Sequence, residues 1–122
     1  MIRIALLDDE KDQREATAAL LERYLSQHPE LSAQSRPFQS GYELLDAVER
    51  SGSFDLYLLD IVMPEQNGIE VGLSIRKLDG LGLIVYLTTS PDYAVDSYLT
   101  NAFHYLLKPV RWEQMVSVLD RA

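Results

Sequence analysis

The chain has 122 residues, of which 47% are apolar and 25% charged, and it contains no cysteine. That is enough for one domain with one core, and it excludes disulfides, thiolate metal sites and cysteine nucleophiles. The net charge of −8 repels nucleic acid at long range and tolerates cations, so no direct nucleic-acid contact is expected. The opening MIRIALL runs into Asp8-Asp9-Glu10 rather than a cleavage site, and no apolar run approaches the roughly 20 residues of a membrane span. A cytoplasmic protein without membrane contact is the expectation.

Ile2 to Leu7 reads as a buried strand. Lys11 to Gln27 follows as a helix, with Ala16, Leu20 and Tyr24 on its apolar face and Leu21 and Leu25 beside them. His28-Pro29 ends it, because a residue before proline is pushed out of the α region, and His28 is expected at the surface. Ala33 to Phe38 is a strand whose Pro37 suits a sheet edge. Ser40 is placed to cap a helix carrying Leu44, Leu45 and Val48.

Asp55 to Leu59 is the next strand, left by the loop Asp60-Ile61-Val62-Met63-Pro64. Ile69 to Leu78 carries both an alternating and a helical pattern. A helix is expected, because the alternation of the chain needs a crossover there, and Gly72 would let it approach a sheet closely. Leu83 to Leu87 is a strongly apolar strand, Asp92 to Thr100 a short helix and His104 to Leu107 a strand. Trp112, Met115, Val116 and Leu119 recur at helical spacing in the last segment, and Trp112 is assigned to the core.

Five βα units with nearly continuous apolar strands predict a parallel sheet covered on both faces. The expected fold is the α/β, flavodoxin-like three-layer sandwich of strand order 2-1-3-4-5 with five helices. Such sheets place their sites beyond the carboxyl ends of the strands. There the first strand delivers Asp8 and Asp9, the third Asp60, the fourth Thr88 and the fifth Lys108. Singly, each is an ordinary cap, turn or surface residue. Their convergence is what points to chemistry.

LLDDE, LLDIVMPEQNG, LTTS and YLLKP, in this order and spacing over essentially the whole chain, resemble the response-regulator receiver (CheY-like) family. The stretch AVDSYLTNAFHYLLKPV is similar to receivers that precede LytTR-type DNA-binding domains. The resemblance implies a phosphoacceptor switch rather than an enzyme with turnover. Asp60 takes a phosphoryl group from a sensor histidine kinase, and Lys108 and the Thr88 hydroxyl contact the phosphoryl oxygens. It further implies Mg²⁺ on Asp8, Asp9, Asp60 and the Val62 backbone carbonyl, a hard oxygen set that suits this cation.

With Lys108, the three carboxylates leave a formal −2 that would turn phosphate away; one divalent cation neutralises it. The resemblance also implies a cis Lys108-Pro109 peptide, and a Gly68 set against Asp60 where a side chain would obstruct. Thr88 and Tyr105 are the implied switch, altering a face made by the fourth helix, fifth strand and fifth helix, with Tyr93, Tyr98 and Trp112. A homodimer formed on phosphorylation and an output in transcription follow from the same likeness.

The chain departs from the family pattern at Thr89, where a small residue is usual and where threonine narrows access to Asp60. It departs also at Pro91, and at His104, which replaces an aspartate and is read as an edge or core histidine. Val62 and Ser90 flank the phosphoryl position. Because Val62 cannot orient a water, a long-lived phosphoryl state is expected. The last helix reaches Arg121-Ala122, so residues 1–122 are taken as the receiver alone, cut from a regulator whose output domain is absent.

The alternatives are a stand-alone receiver or a degenerate receiver acting as an interaction module. More distant are a haloacid-dehalogenase-like phosphohydrolase and an FMN binder. The first of these wants its nucleophile in a DxD arrangement after strand one. The second wants backbone donors and hydroxyls where Asp8-Asp9-Glu10 stands.

Overall fold

The computed structural model describes residues 2–63, 67–89 and 100–121. Its strands are β1 (Ile2–Leu7), β2 (Ala33–Phe38), β3 (Leu56–Asp60), β4 (Leu83–Thr88) and β5 (His104–Leu107). They form one sheet in the order β2-β1-β3-β4-β5, every pair parallel. The expected order is therefore met. β3 is buried at all five positions, as the continuous apolar run demands of a central strand covered on both faces. β2 alternates and lies at the edge, where Pro37, opposite Leu6, is tolerated.

The helices are α1 (Lys11–Ser26), α2 (Gly41–Ser51), α3 (Gly68–Leu78) and α4 (Trp112–Arg121). The helix expected over 92–100 falls, except for Thr100, outside the described residues, as do Ser90, Pro91, Tyr93 and Tyr98. α2 and α3 cover one face, packing Leu44, Val48, Val71 and Ile75 on Leu7, Tyr57, Leu59 and Tyr86. α1 and α4 cover the other, with Leu21, Tyr24, Met115 and Leu119 on Ile4, Leu58, Val85 and Leu87. This is the three-layer sandwich, with the sheet between two helix layers.

Local chemistry explains the boundaries. Ser40 Oγ accepts the Glu43 amide at 3.2 Å and starts α2 as expected. Asn67 Oδ1 accepts the Ile69 amide at 2.7 Å and starts α3. The ambiguous 69–78 segment is the helix, and Gly72 lies so close to the sheet that a Cβ there would overlap the Tyr86 hydroxyl.

Two expectations need correction. The buried stripe of α1 is Thr17, Leu21 and Tyr24, whereas Ala16 is exposed and Leu20 only half-buried. The helix is rotated so that Ala16 and Leu20 face a cleft rather than the sheet. His28 is half-buried instead of at the surface. Its ring stacks on Tyr24 at 4.0 Å, and Nδ1 lies 2.8 Å from the Tyr24 carbonyl oxygen. Trp112 is half-buried at the core margin, with the Arg23 guanidinium 4.0 Å from its ring centroid.

Candidate phosphoacceptor and metal site

The strand order reverses between β1 and β3, because β1 sends its chain to β2 on one side and pairs β3 on the other. This opens a crevice at their carboxyl ends. Asp8 and Asp9 follow β1, Asp60 ends β3, Thr88 ends β4 and Lys108 follows β5. Lys108 continues the ladder by donating its amide to the Thr88 carbonyl oxygen at 2.6 Å. Its peptide bond to Pro109 is cis, as the resemblance implied.

Asp8, Asp9 and Asp60 bring carboxylate oxygens within 4.8 Å of one another. Asp8 and Asp60 are almost fully buried, at 1% and 4% exposure, and Asp9 lies on the solvent side of them. Lys108 Nζ sits 2.7 Å from Asp8 Oδ2 and 3.2 Å from Asp60 Oδ1. One cation thus serves two buried carboxylates. Burial pushes the Asp60 carboxyl up from 3.8 to about 6; Lys108 opposes this, and the charges of Asp8 and Asp9 add to it. The nest therefore carries more negative charge than its protein partners offset. A compact, oxygen-only donor set with a charge deficit fits a small hard divalent cation.

Val62 follows Asp60 by two residues, and its side chain is exposed. Thr88 is completely buried, one position beyond Leu87, the register partner of Asp60. Tyr105 is half-buried against the core under α2 and α3, and pairs with Tyr86. Gly68 presses on the backbone of Asp60 and Ile61 and donates its amide to the Ile61 carbonyl oxygen at 2.9 Å. Thr89 is exposed beside Lys108, on a cleft of about 260 Å³ that Gln13, Ala16, Leu20 and Val110 also line. His104 lies half-buried on the edge strand β5.

Two site residues escaped the reading of the sequence. Gln13 Oε1 accepts a hydrogen bond from Lys108 Nζ at 2.5 Å, and Arg14 donates to the Asp8 carbonyl oxygen at 2.8 Å. The available signal was position. α1 begins immediately after the acidic pair, so its first turn must hang over the strand ends.

A parallel sheet with an acidic nest and a lysine at its switch point is a site suited to phosphoryl chemistry. The model of the response regulator receiver domain matches residues 4–120. The chain belongs to that family, and it is the receiver domain of a two-component response regulator.

It is 33% identical over 122 residues to an uncharacterized response regulatory protein of Yersinia pestis, covering 99% of this chain and 48% of that protein. It is 27% identical to the sensory transduction protein LytT of Bacillus anthracis, covering 99% and 47%. The chain spans about half the length of these relatives. Among solved structures, it matches the response regulator TrrA of Thermotoga maritima in complex with Mg²⁺ and beryllium fluoride. That match has a TM-score of 0.83 and 28% identity, and covers 99% of this chain and 98% of the other. A CheY-like receiver from Methanospirillum hungatei has the same TM-score at 24% identity, covering 99% and 92%, a likeness of fold. Among the described residues, no helix is long and apolar enough to cross a membrane.

Proposed function

We propose that this receiver domain takes a phosphoryl group on Asp60 from a phosphohistidine of a sensor histidine kinase, and that the modified domain switches an output. The observation that carries this reading is the position of Asp60. It is buried at the end of β3, within 4.8 Å of Asp8 and Asp9 oxygens and 3.2 Å from the Lys108 ammonium.

An Asp60 carboxylate oxygen forms a bond to phosphorus while the phosphorus–nitrogen bond of the donor breaks. The electron pair stays on the imidazole nitrogen, which takes a proton from solvent. Asp60 needs no general base, because even with its raised value near 6 it is mostly ionised at neutral pH. Lys108 stands where it can meet one new phosphoryl oxygen, and Thr88, at the end of the neighbouring strand, is the donor assigned to another.

Asp8, Asp9, Asp60 and the Val62 carbonyl would hold Mg²⁺. When bound, the ion supplies the positive charge that lets these carboxylates tolerate a phosphoryl group. The relative with Mg²⁺ and beryllium fluoride supports this assignment. Thr88 and Tyr105 then bias an existing equilibrium of the β4–β5 side rather than build a new fold. Likeness to LytT, and to the positive alginate biosynthesis regulatory protein of Pseudomonas aeruginosa, supports transcription through a LytTR-type output domain, with a homodimer on activation.

Intact-mass measurement after incubation with acetyl phosphate and Mg²⁺ tests the reading. The expected result is one added phosphoryl group on the wild type and none on Asp60→Asn. An unmodified wild type would leave an interaction module.

A further inference from the structure

An ammonium has three N–H donors and accepts nothing. Those of Lys108 meet three oxygens: Gln13 Oε1 at 2.5 Å, Asp8 Oδ2 at 2.7 Å and Asp60 Oδ1 at 3.2 Å. The side chain is only 9% exposed, so the ammonium is held within the protein by hydrogen bonds to Gln13 and Asp8 and by an ion pair with Asp60. A phosphoryl oxygen arriving on Asp60 competes with these acceptors for the Lys108 ammonium.

The three are not equally easy to displace. Asp8 is a charged group at 1% exposure, and its other oxygen accepts the Glu10 amide at 3.0 Å; parting it from Lys108 breaks a buried charge pairing. Asp60 is the group being modified. Gln13 is neutral and half-buried, and it borders the cleft of about 260 Å³ between α1 and the residues after β5. Its amide has room to turn, and giving up its bond costs no charge pairing.

We propose that Gln13 is a positioning residue for Lys108. Its amide oxygen holds the third ammonium proton while Asp60 is unmodified, and yields that proton to the phosphoryl oxygen afterwards. This inference rests on Asp60 being the phosphoacceptor. Gln13 thereby stabilises the unmodified state and opposes the phosphorylated one, so the two states are set against each other by a residue of α1 that does not touch the reacting atoms.

The test compares wild type, Gln13→Met and Gln13→Glu in melting experiments, with and without Mg²⁺ and beryllofluoride, and in intact-mass assays with acetyl phosphate. Methionine keeps the length of the side chain but removes the acceptor. The unliganded melting temperature should fall and that of the beryllofluoride form should match wild type. Half-saturation by beryllofluoride should drop by at least about tenfold, the loss of one hydrogen bond to a charged donor. Glutamate grips the ammonium harder, and half-saturation should rise. A residue that merely supported the fold would lower both melting temperatures together and move both variants the same way. That result, or unchanged half-saturation in both variants, overturns the inference. A wild type that takes neither a phosphoryl group nor beryllofluoride overturns instead the assignment of Asp60.

Discussion

A methyl group placed on Gly68 would lie 2.0 Å from the carbonyl oxygen of Asp60 and 2.8 Å from the Ile61 Cα. Both obstacles are backbone, so no side-chain rotation relieves the overlap. Gly68→Ala must push α3 away from the end of β3, which costs about 1–3 kcal/mol by the usual scale of overpacking. The displacement falls on the residue that carries the acidic nest. Denaturant unfolding should show the lost stability, and acetyl phosphate labelling should fall with it. A fully stable, fully labelled Gly68→Ala protein would contradict this packing.

Asp60 should weaken the metal-free protein at neutral pH. Its folded-state value near 6 lies above the ordinary 3.8, chiefly through burial. The folded chain therefore keeps this proton to higher pH than the unfolded chain does. Stability from the group is complete below about pH 4 and is lost as pH rises through 6. The gap corresponds to at most about 3 kcal/mol. Asp60→Asn, which never ionises, should stabilise the metal-free domain at pH 7.5 by about 1–3 kcal/mol and flatten its profile between pH 4 and 6. Saturating Mg²⁺ should raise the melting temperature of the wild type more than that of the variant. A variant less stable than wild type in chelator at pH 7.5 would count against this electrostatic account.

The alkaline limit of the fold should lie with its tyrosines. Burial, then the hydrogen bond to Asp120 and that residue's charge, push the Tyr24 hydroxyl up from 10.0 to about 12. The bond to Asp120 Oδ1 is 2.7 Å and ties α1 to α4. Tyr57 is also pushed up to about 12, again mainly by burial. Both favour the protonated folded form, so their contribution is intact below pH 10 and is lost as pH climbs toward 12. Tyr24→Phe should cost about 1 kcal/mol at pH 7 for the missing hydrogen bond, and should make unfolding less steep between pH 10 and 12. An unchanged alkaline slope would show that Tyr24 ionises as freely in the folded chain as in the unfolded one.

Val62 should set how long a phosphoryl group on Asp60 lasts. Its side chain is 52% exposed two residues past Asp60 and has no polar atom with which to orient a water. Val62→Asn supplies a donor and an acceptor there. Loss of the phosphoryl group, followed by intact mass after removal of the donor, should speed up by about tenfold, less than a positioned proton-transfer group gives, because an amide orients water without taking its proton. Equal lifetimes in the two proteins would show that water is not oriented from this position.

What the sequence determined by itself was whatever rests on local pattern. Apolar runs of strand length predict five parallel strands, and Pro37 predicts which of them is an edge. Ser40 marks the start of α2, and the doubly patterned 69–78 segment resolves to a helix through chain alternation. The site was equally legible, because in such a sheet every strand ends on the same side. Asp8, Asp9, Asp60, Thr88 and Lys108 could be brought together without a single coordinate.

Only the tertiary structure decided matters finer than one turn of helix. Periodicity placed Ala16 and Leu20 on the buried face of α1. Packing against the sheet buries Thr17 and Leu21 instead, a rotation of one residue that apolar spacing alone cannot resolve. The same rotation leaves Ala16 and Leu20 on the cleft and brings Gln13 to Lys108, 95 residues away. It also depends on packing that the lysine lies closer to Asp8 than to Asp60. Contacts between side chains so distant in sequence are fixed by how layers settle on one another, and no local propensity encodes that.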